Sequence, residues 1–122
     1  MRDLKFRVWD FFTARMINCH EPIIANRILP LCLGYESSEV QSYVLMQYTG
    51  LKDKNGVEIF EGDELVHGSG RAVVIWDHSF WAVDVLWSDR RRERMTLARF
   101  GIGGELTGKN IYQNPELMEL RG

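Results

Sequence analysis

Between Arg71 and Trp87 the sequence leaves little choice of fold. Ala72-Val73-Val74-Ile75-Trp76 is a run of β-formers, Asp77-His78-Ser79 breaks it with turn residues, and Trp81, Val83, Val85 and Trp87 then recur at a period of two. That period is the spacing of side chains on one face of a strand, so the two runs predict a hairpin with a face packed on a core. Shorter runs of the same kind lie on both sides. Leu4, Phe6 and Val8 alternate with Lys5, Arg7 and Trp9, which predicts a first strand with basic stems on its outer face; a turn over residues 11–15 leads into Met16-Ile17-Asn18-Cys19 as its hairpin partner. Residues 40–48 predict a strand running into a turn at Gly50. Asn55-Gly56 predicts a type I′ turn, because both central residues of that turn take positive φ and this pair tolerates it best.

Further along, Glu58-Ile59-Phe60 reads as a short strand, Glu61-Gly62-Asp63 as a turn, and Gly68-Ser69-Gly70 as a flexible tip. Residues 88–94 read as a charged loop, Met95-Thr96-Leu97-Ala98-Arg99-Phe100 as another strand, and Gly101-Ile102-Gly103-Gly104 as a hairpin turn. Residues 20–42, broken by Pro22 and Pro30, predict loop with short pieces of regular structure. Asn114-Pro115-Glu116-Leu117 predicts a short C-terminal helical turn: Asn can cap it, Pro suits its first turn, and Glu suits the positive end of its dipole. Short strands at this spacing make a mainly β fold of two small β-sheet or barrel-like units. The units fall at about residues 1–50 and 51–122 of a single domain.

At 122 residues the chain is long enough to bury a core without disulfides or metal. No apolar run approaches the roughly 20 residues that cross a bilayer. Met1-Arg2-Asp3-Leu4-Lys5 has charges where a signal peptide needs its apolar segment, so the expectation is a cytoplasmic protein with no membrane partner. The net charge of −2 supplies no global field toward nucleic acid, and any such binding requires a local patch.

Few residues group as catalytic machinery does. Cys19 and Cys32 read as reduced core thiols, and with His20, His67 and His78 they are too scattered to form a recognisable ligand set. Glu61, Asp63 and Glu64, with Asp53 across the hairpin, are carboxylates that could divide acid and base roles, but at a turn they read as solvated. Asp77-His78-Ser79 holds the residue types of a triad at consecutive positions, which do not converge. The glycines at 101–104 lack both a following helix and a Lys-Ser/Thr pair for phosphate. The expectation is a non-enzymatic protein with no cofactor, no metal and no small-molecule substrate. The conspicuous surface is Arg90-Arg91-Arg92-Glu93-Arg94, four guanidinium groups in five residues, suited to phosphate or an acidic partner. Trp76, Trp81 and Trp87 precede it, and an exposed indole there would stack on a base or anchor an interface. The plainer reading is a solvated loop with the tryptophans in the core.

Three stretches carry a family resemblance: Lys5-Phe6-Arg7-Val8-Trp9-Asp10, Met46-Gln47-Tyr48-Thr49-Gly50-Leu51-Lys52-Asp53-Lys54-Asn55-Gly56-Val57-Glu58-Ile59-Phe60-Glu61-Gly62-Asp63, and Asn110-Ile111-Tyr112-Gln113-Asn114-Pro115-Glu116-Leu117. Together they resemble the YopX family. The middle run is the specific one; Lys109, standing between Gly108 and Asn110, departs from the family's usual Gly-Asn step. The resemblance implies a small, mainly β protein encoded by bacteriophages and prophages, and it carries over no catalytic or ligand residues. Gly50, Asn55, Gly56 and Gly62 within the long run read as structural turns. The expected function is that of an accessory protein acting through a protein partner or as a homo-oligomer. The alternative is a nucleic-acid-binding β module using Arg90, Arg91, Arg92 and Arg94 beside Trp87.

Overall fold

The computed structural model describes residues 5–17, 43–101 and 103–121. Among them, nine strands form two antiparallel sheets, the mainly β class expected. Strands β1 (Phe6–Asp10), β2 (Arg15–Ile17), β3 (Tyr43–Lys52) and β4 (Glu58–Phe60) make the first sheet, in the order β2-β1-β3-β4. Strands β5 (Asp63–His67), β6 (Gly70–Asp77), β7 (Phe80–Trp87), β8 (Arg92–Thr96) and β9 (Glu105–Asn110) make the second, a half-barrel in the order β8-β7-β6-β5-β9. Asn18, Cys19, His20 and Cys32 lie outside the described residues, as does the loop expected over 20–42.

The hairpin read from the sequence is β6–β7, with Ala72 opposite Val85, Val74 opposite Val83 and Trp76 opposite Trp81. Ala72, Val74, Val83 and Val85 face a core completed by Ile59, Leu65, Leu97 and Phe100, with Trp81 packed against it. The other face carries Val73, Ile75 and Ala82, covered by Ile111, Leu117 and Leu120. Burial on both faces explains why 72–76 is a continuous apolar run, since a strand with one solvated face would alternate. The second cover comes from the expected C-terminal turn, a 3-10 helix over Pro115–Leu120.

Met95 to Phe100 is not a strand. Strand β8 ends at Thr96, and the chain coils into helix α1 (Leu97–Gly101). Leu97 and Phe100, three residues apart, both bury in the core, and that is helical rather than strand spacing. The charged loop is correspondingly shorter: Arg92 and Arg94 belong to β8, and only residues 88–91 connect it to β7. The glycines expected to form a hairpin turn do not do so: Gly101 ends α1, and Gly103 and Gly104 lead into β9, which pairs with β5.

Two turn assignments also change. Gly50 lies inside β3, where its φ of +86° coincides with a register shift against β4, so it makes a bulge and not a turn. At Asn55-Gly56 only Gly56 has positive φ, which excludes type I′. The Gly56 amide donates to the Asp53 carbonyl, the Asp53 amide donates to the Val57 carbonyl, and Asp53 Oδ1 accepts from the amides of Asn55 and Val57. A carboxylate thus does the organising that the sequence reading gave to Asn55.

Gly62 is the pivot where the chain leaves one sheet for the other. Its φ is +88°, its amide donates to the Val74 carbonyl, and its carbonyl accepts from the Ile111 amide. A Cβ here would stand 2.8 Å from Tyr112 Cε2, whereas one on Gly56, at a similar φ of +81°, would meet nothing. Gly62→Ala is therefore expected to cost about 2 kcal/mol or more and Gly56→Ala about 1 kcal/mol, read from urea midpoints. Equal losses would mean that φ, and not the Tyr112 contact, sets the effect.

The acidic turn is not solvated. Asp53, Asp63 and Glu64 are all buried, and each has at least one partner remote in sequence beside its local ones. Arg7, read as a solvent-facing stem on β1, donates from Nη2 to Asp63 Oδ1 at 2.5 Å and lies over the Phe60 ring at 4.5 Å. Glu64 receives Arg71 and the Thr107 hydroxyl. Carboxylates survive burial when paired and hydrogen-bonded in this way.

Candidate nucleic-acid interface

Pairing of β6, β7 and β8 places Arg71 opposite Leu86 and Leu86 opposite Arg92. Residues paired across adjacent strands share a face of the sheet, so two arginines flank one leucine in a single row. This row opens into a cavity of about 620 Å³, also lined by Arg90, Ser69, Ser88 and Glu119 and bordered by Trp87.

Each guanidinium is held differently. Arg71 donates from Nε and Nη2 to Glu64 Oε2, at 3.0 and 2.7 Å. Arg92 donates from Nη1 to the Glu119 main-chain carbonyl at 2.8 Å. Arg90 has no side-chain partner among the described residues, and its φ of +69° puts it in the left-handed region. That strain has an internal reference. The Arg90 amide donates to the Trp87 carbonyl and the Trp87 amide to the Arg91 carbonyl, the same closure that links Gly56 to Asp53 and Asp53 to Val57. At the left-handed position one hairpin uses glycine and the other arginine.

The remaining residues singled out from the sequence point elsewhere. Arg94 forks onto Asp84 at 2.6 and 3.0 Å and reaches Asp77 at 3.7 Å. The Asp84 bond, above all, holds its pKa above the ordinary arginine value. Arg91 lies over the Trp87 ring at 5.4 Å, close to Asp89. Trp87 follows Leu86 on β7, so its ring turns to the opposite face, against Phe100 and with Nε1 donating to Glu93. It is not a platform for a base within the cleft. The structure therefore gathers Arg90 and Arg92 in the cleft, turns Arg91 onto Trp87, and places Arg94 beside Arg92 in a smaller neighbouring cavity of about 250 Å³ with its fork held by Asp84.

Arg71 was missed. The signal was present: extending the hairpin register outward from a two-residue turn at His78-Ser79 brings Arg71 opposite Leu86, beside the arginine-rich segment.

A second cavity, about 380 Å³, lies between the sheets and is lined by Arg7, Asp53, Asp63, Asn110 and Gln113 among others. The three stretches that carry the family resemblance meet here. Its carboxylates are committed: Asp53 accepts amides from Asn55, Val57 and Leu106, and Asp63 accepts Arg7 and the Phe60 amide. Burial pushes the Asp53 carboxyl up, but those three amides and nearby Lys54 outweigh it and leave the pKa below the ordinary value. Burial pushes Asp63 above its ordinary value against the pull of Arg7. Glu61 is not in this cavity; it accepts the Tyr112 hydroxyl at 2.8 Å, and burial raises both groups. The geometry fastens loops and sheets together. His67 Nδ1 sits 3.1 Å from the Phe100 carbonyl, and among the described residues no group of three or more His, Cys, Asp and Glu is placed to hold a metal ion.

A two-sheet β protein with an arginine cleft on one sheet and a buried polar seam between the two is the class these features define. The chain belongs to the YopX family, whose model, described as YopX protein, matches residues 5–119. Among solved structures it is similar to the crystal structure of protein EF1440 from Enterococcus faecalis, with 26% identity, a TM-score of 0.61, and coverage of 97% of this chain and 99% of that one. No curated protein matches the chain at a significant level. No helix among the described residues is long and apolar enough to cross a membrane.

Proposed function

We propose that this is a non-catalytic binding protein, encoded by a phage or prophage and acting in the bacterial cytoplasm, whose arginine cleft contacts nucleic acid. The convergence of Arg71, Arg90 and Arg92 on one cavity carries this reading. The cleft concentrates positive charge on a chain whose net charge is −2, so attraction to a polyanion is local and short-ranged. Arginine suits phosphate because its planar fork donates two parallel hydrogen bonds.

Fluorescence polarisation against labelled single- and double-stranded DNA and RNA, at low and physiological salt, tests it. Changing Arg90 and Arg92 together to Ala is expected to weaken binding at least about tenfold and to reduce the salt slope by up to about two. Arg90→Gly separates binding from folding. It relieves the left-handed backbone, so stability should rise by up to about 1 kcal/mol while affinity falls. No binding at low salt, or binding indifferent to both variants, removes the cleft from consideration.

A second reading, protein binding or self-association, has one observation of its own. Phe12 is 90% exposed at the tip of the β1–β2 hairpin, and Trp76 and Phe80 are exposed near the tip of β6–β7. Light scattering across a concentration series separates the readings, because this one requires a defined oligomer that Phe12→Ser or Trp76→Ser dissociates.

A further inference from the structure

We infer that the cleft takes a phosphate monoester, the terminal phosphate of a nucleic-acid strand, in preference to the diester backbone along it. This rests on the nucleic-acid reading above and adds the chemical group that is recognised.

The first argument is arrangement. A diester backbone presents one charge per phosphate in a line, and proteins that track it spread their cations along a groove. Here Arg71 and Arg92 stand on either side of Leu86, Arg90 reaches the same cavity from the adjoining turn, and the cations next in line are diverted. Arg94 is taken by Asp84 and Asp77, and Arg91 lies over Trp87. Arg94 shares a face of β8 and a smaller cavity with Arg92, but its fork is engaged by Asp84, so its charge is offset there and the larger cavity holds the cluster of guanidiniums with donors to spare. A monoester at neutral pH carries about −1.5 to −2 charges on three terminal oxygens, against one charge on a diester, and so matches a point cluster of guanidiniums better.

The second argument is donor supply. Arg71 spends Nε and Nη2 on Glu64 and keeps Nη1, Arg92 spends Nη1 on the Glu119 carbonyl and keeps Nε and Nη2, and Arg90 keeps its whole fork. Two of the three side chains are thus oriented before a ligand arrives, which lowers the entropy lost on binding. Glu64 tempers the charge, so that three guanidiniums share one carboxylate in contact with them. A ligand of charge near −2 gains more from the remainder than one of charge −1. The third argument is position 90 itself. Glycine fills the equivalent place in the β3–β4 hairpin; Ala14 and His78 are also left-handed without glycine, and of these three positions Arg90 is the one whose residue lines the cleft.

The test compares 3′-labelled single-stranded oligonucleotides that differ only in a 5′-phosphate or a 5′-hydroxyl, titrated with the full chain at physiological salt. A free mononucleotide and inorganic phosphate serve as competitors. The expected result is at least about tenfold tighter binding of the phosphorylated strand. That preference should vanish in Arg90→Gly, a variant expected to be no less stable, and persist in Arg91→Ala. Equal affinity for both strands, with both lost in the Arg90/Arg92 double variant, overturns the terminal-phosphate assignment and leaves the cleft as a backbone contact. Failure of either strand to bind overturns both proposals. If free mononucleotide competes as well as the phosphorylated strand, the monoester is the ligand but the strand is not, and the assignment to a nucleic-acid end falls.

Discussion

Asp63→Ala is expected to destabilise the protein by about 3–5 kcal/mol, measured by chemical denaturation, because it breaks a buried ion pair from one side. Asp63 is 6% exposed at its side chain and Arg7 20%, and the two come from different sheets. Removing the carboxylate leaves the guanidinium against Phe60 and Met46 with no counter-charge, although Arg7 Nε is already buried without a partner among the described residues. It also removes the acceptor of the Phe60 amide. Burial raises the Asp63 pKa despite Arg7, which means that desolvation outweighs the attraction. A pair in that balance contributes little relative to apolar residues of the same size. Arg7→Met combined with Asp63→Leu should therefore recover most of the loss, to within about 2 kcal/mol of the parent. A single-variant loss below about 1 kcal/mol would show that the seam does not fasten the sheets.

Phe100→Ala is expected to cost about 3–5 kcal/mol. The ring is 2% exposed and packs edge-on against His67 and Trp87, at centroid distances of 5.6 and 6.3 Å. Helix α1 has five residues, too few to hold itself, so Phe100 and Leu97 are what keep it on the sheet. Phe100→Leu retains most of the volume and should lose less than about 1.5 kcal/mol. The melting temperatures of the two variants decide the matter, since similar shifts would point to a loosely packed site.

Local patterns were legible in the sequence, and non-local ones were not. The β6–β7 hairpin could be read because its turn, its alternation and its pairing all lie within residues 70–87. The C-terminal turn could be read from Asn114 and Pro115 for the same reason, although the Asn114 side chain makes no cap bond there and instead accepts the Asn110 amide at 3.4 Å. The extension of β8 to Phe100 failed because an apolar pair three residues apart also fits the end of an irregular strand. The acidic residues at 53, 63 and 64 looked solvated because nothing adjacent reveals Arg7, 56 residues from Asp63, or the Leu106 amide, 53 residues from Asp53. The arginine segment drew attention by density alone. Its members were divided by strand parity and by local carboxylates, and the arginine that completes the cleft came from β6.

The seam between the sheets also bears on how quickly the chain can fold. Arg7 meets Asp63 and Asp53 meets Leu106 across spans of 56 and 53 residues, and β1 pairs with β3 rather than only with its neighbour β2. Contacts of that separation return energy only after a long loop has closed, so the search precedes the reward. The expected regime is milliseconds to seconds, the range of proteins dominated by distant β pairing. During that interval the β6–β7 hairpin is the element able to form early from its own residues, with Val73, Val74 and Ile75 uncovered until Phe100 and Leu117 arrive. Crowded, rapid synthesis would place the greatest demand on this protein at that stage, before the two sheets have met.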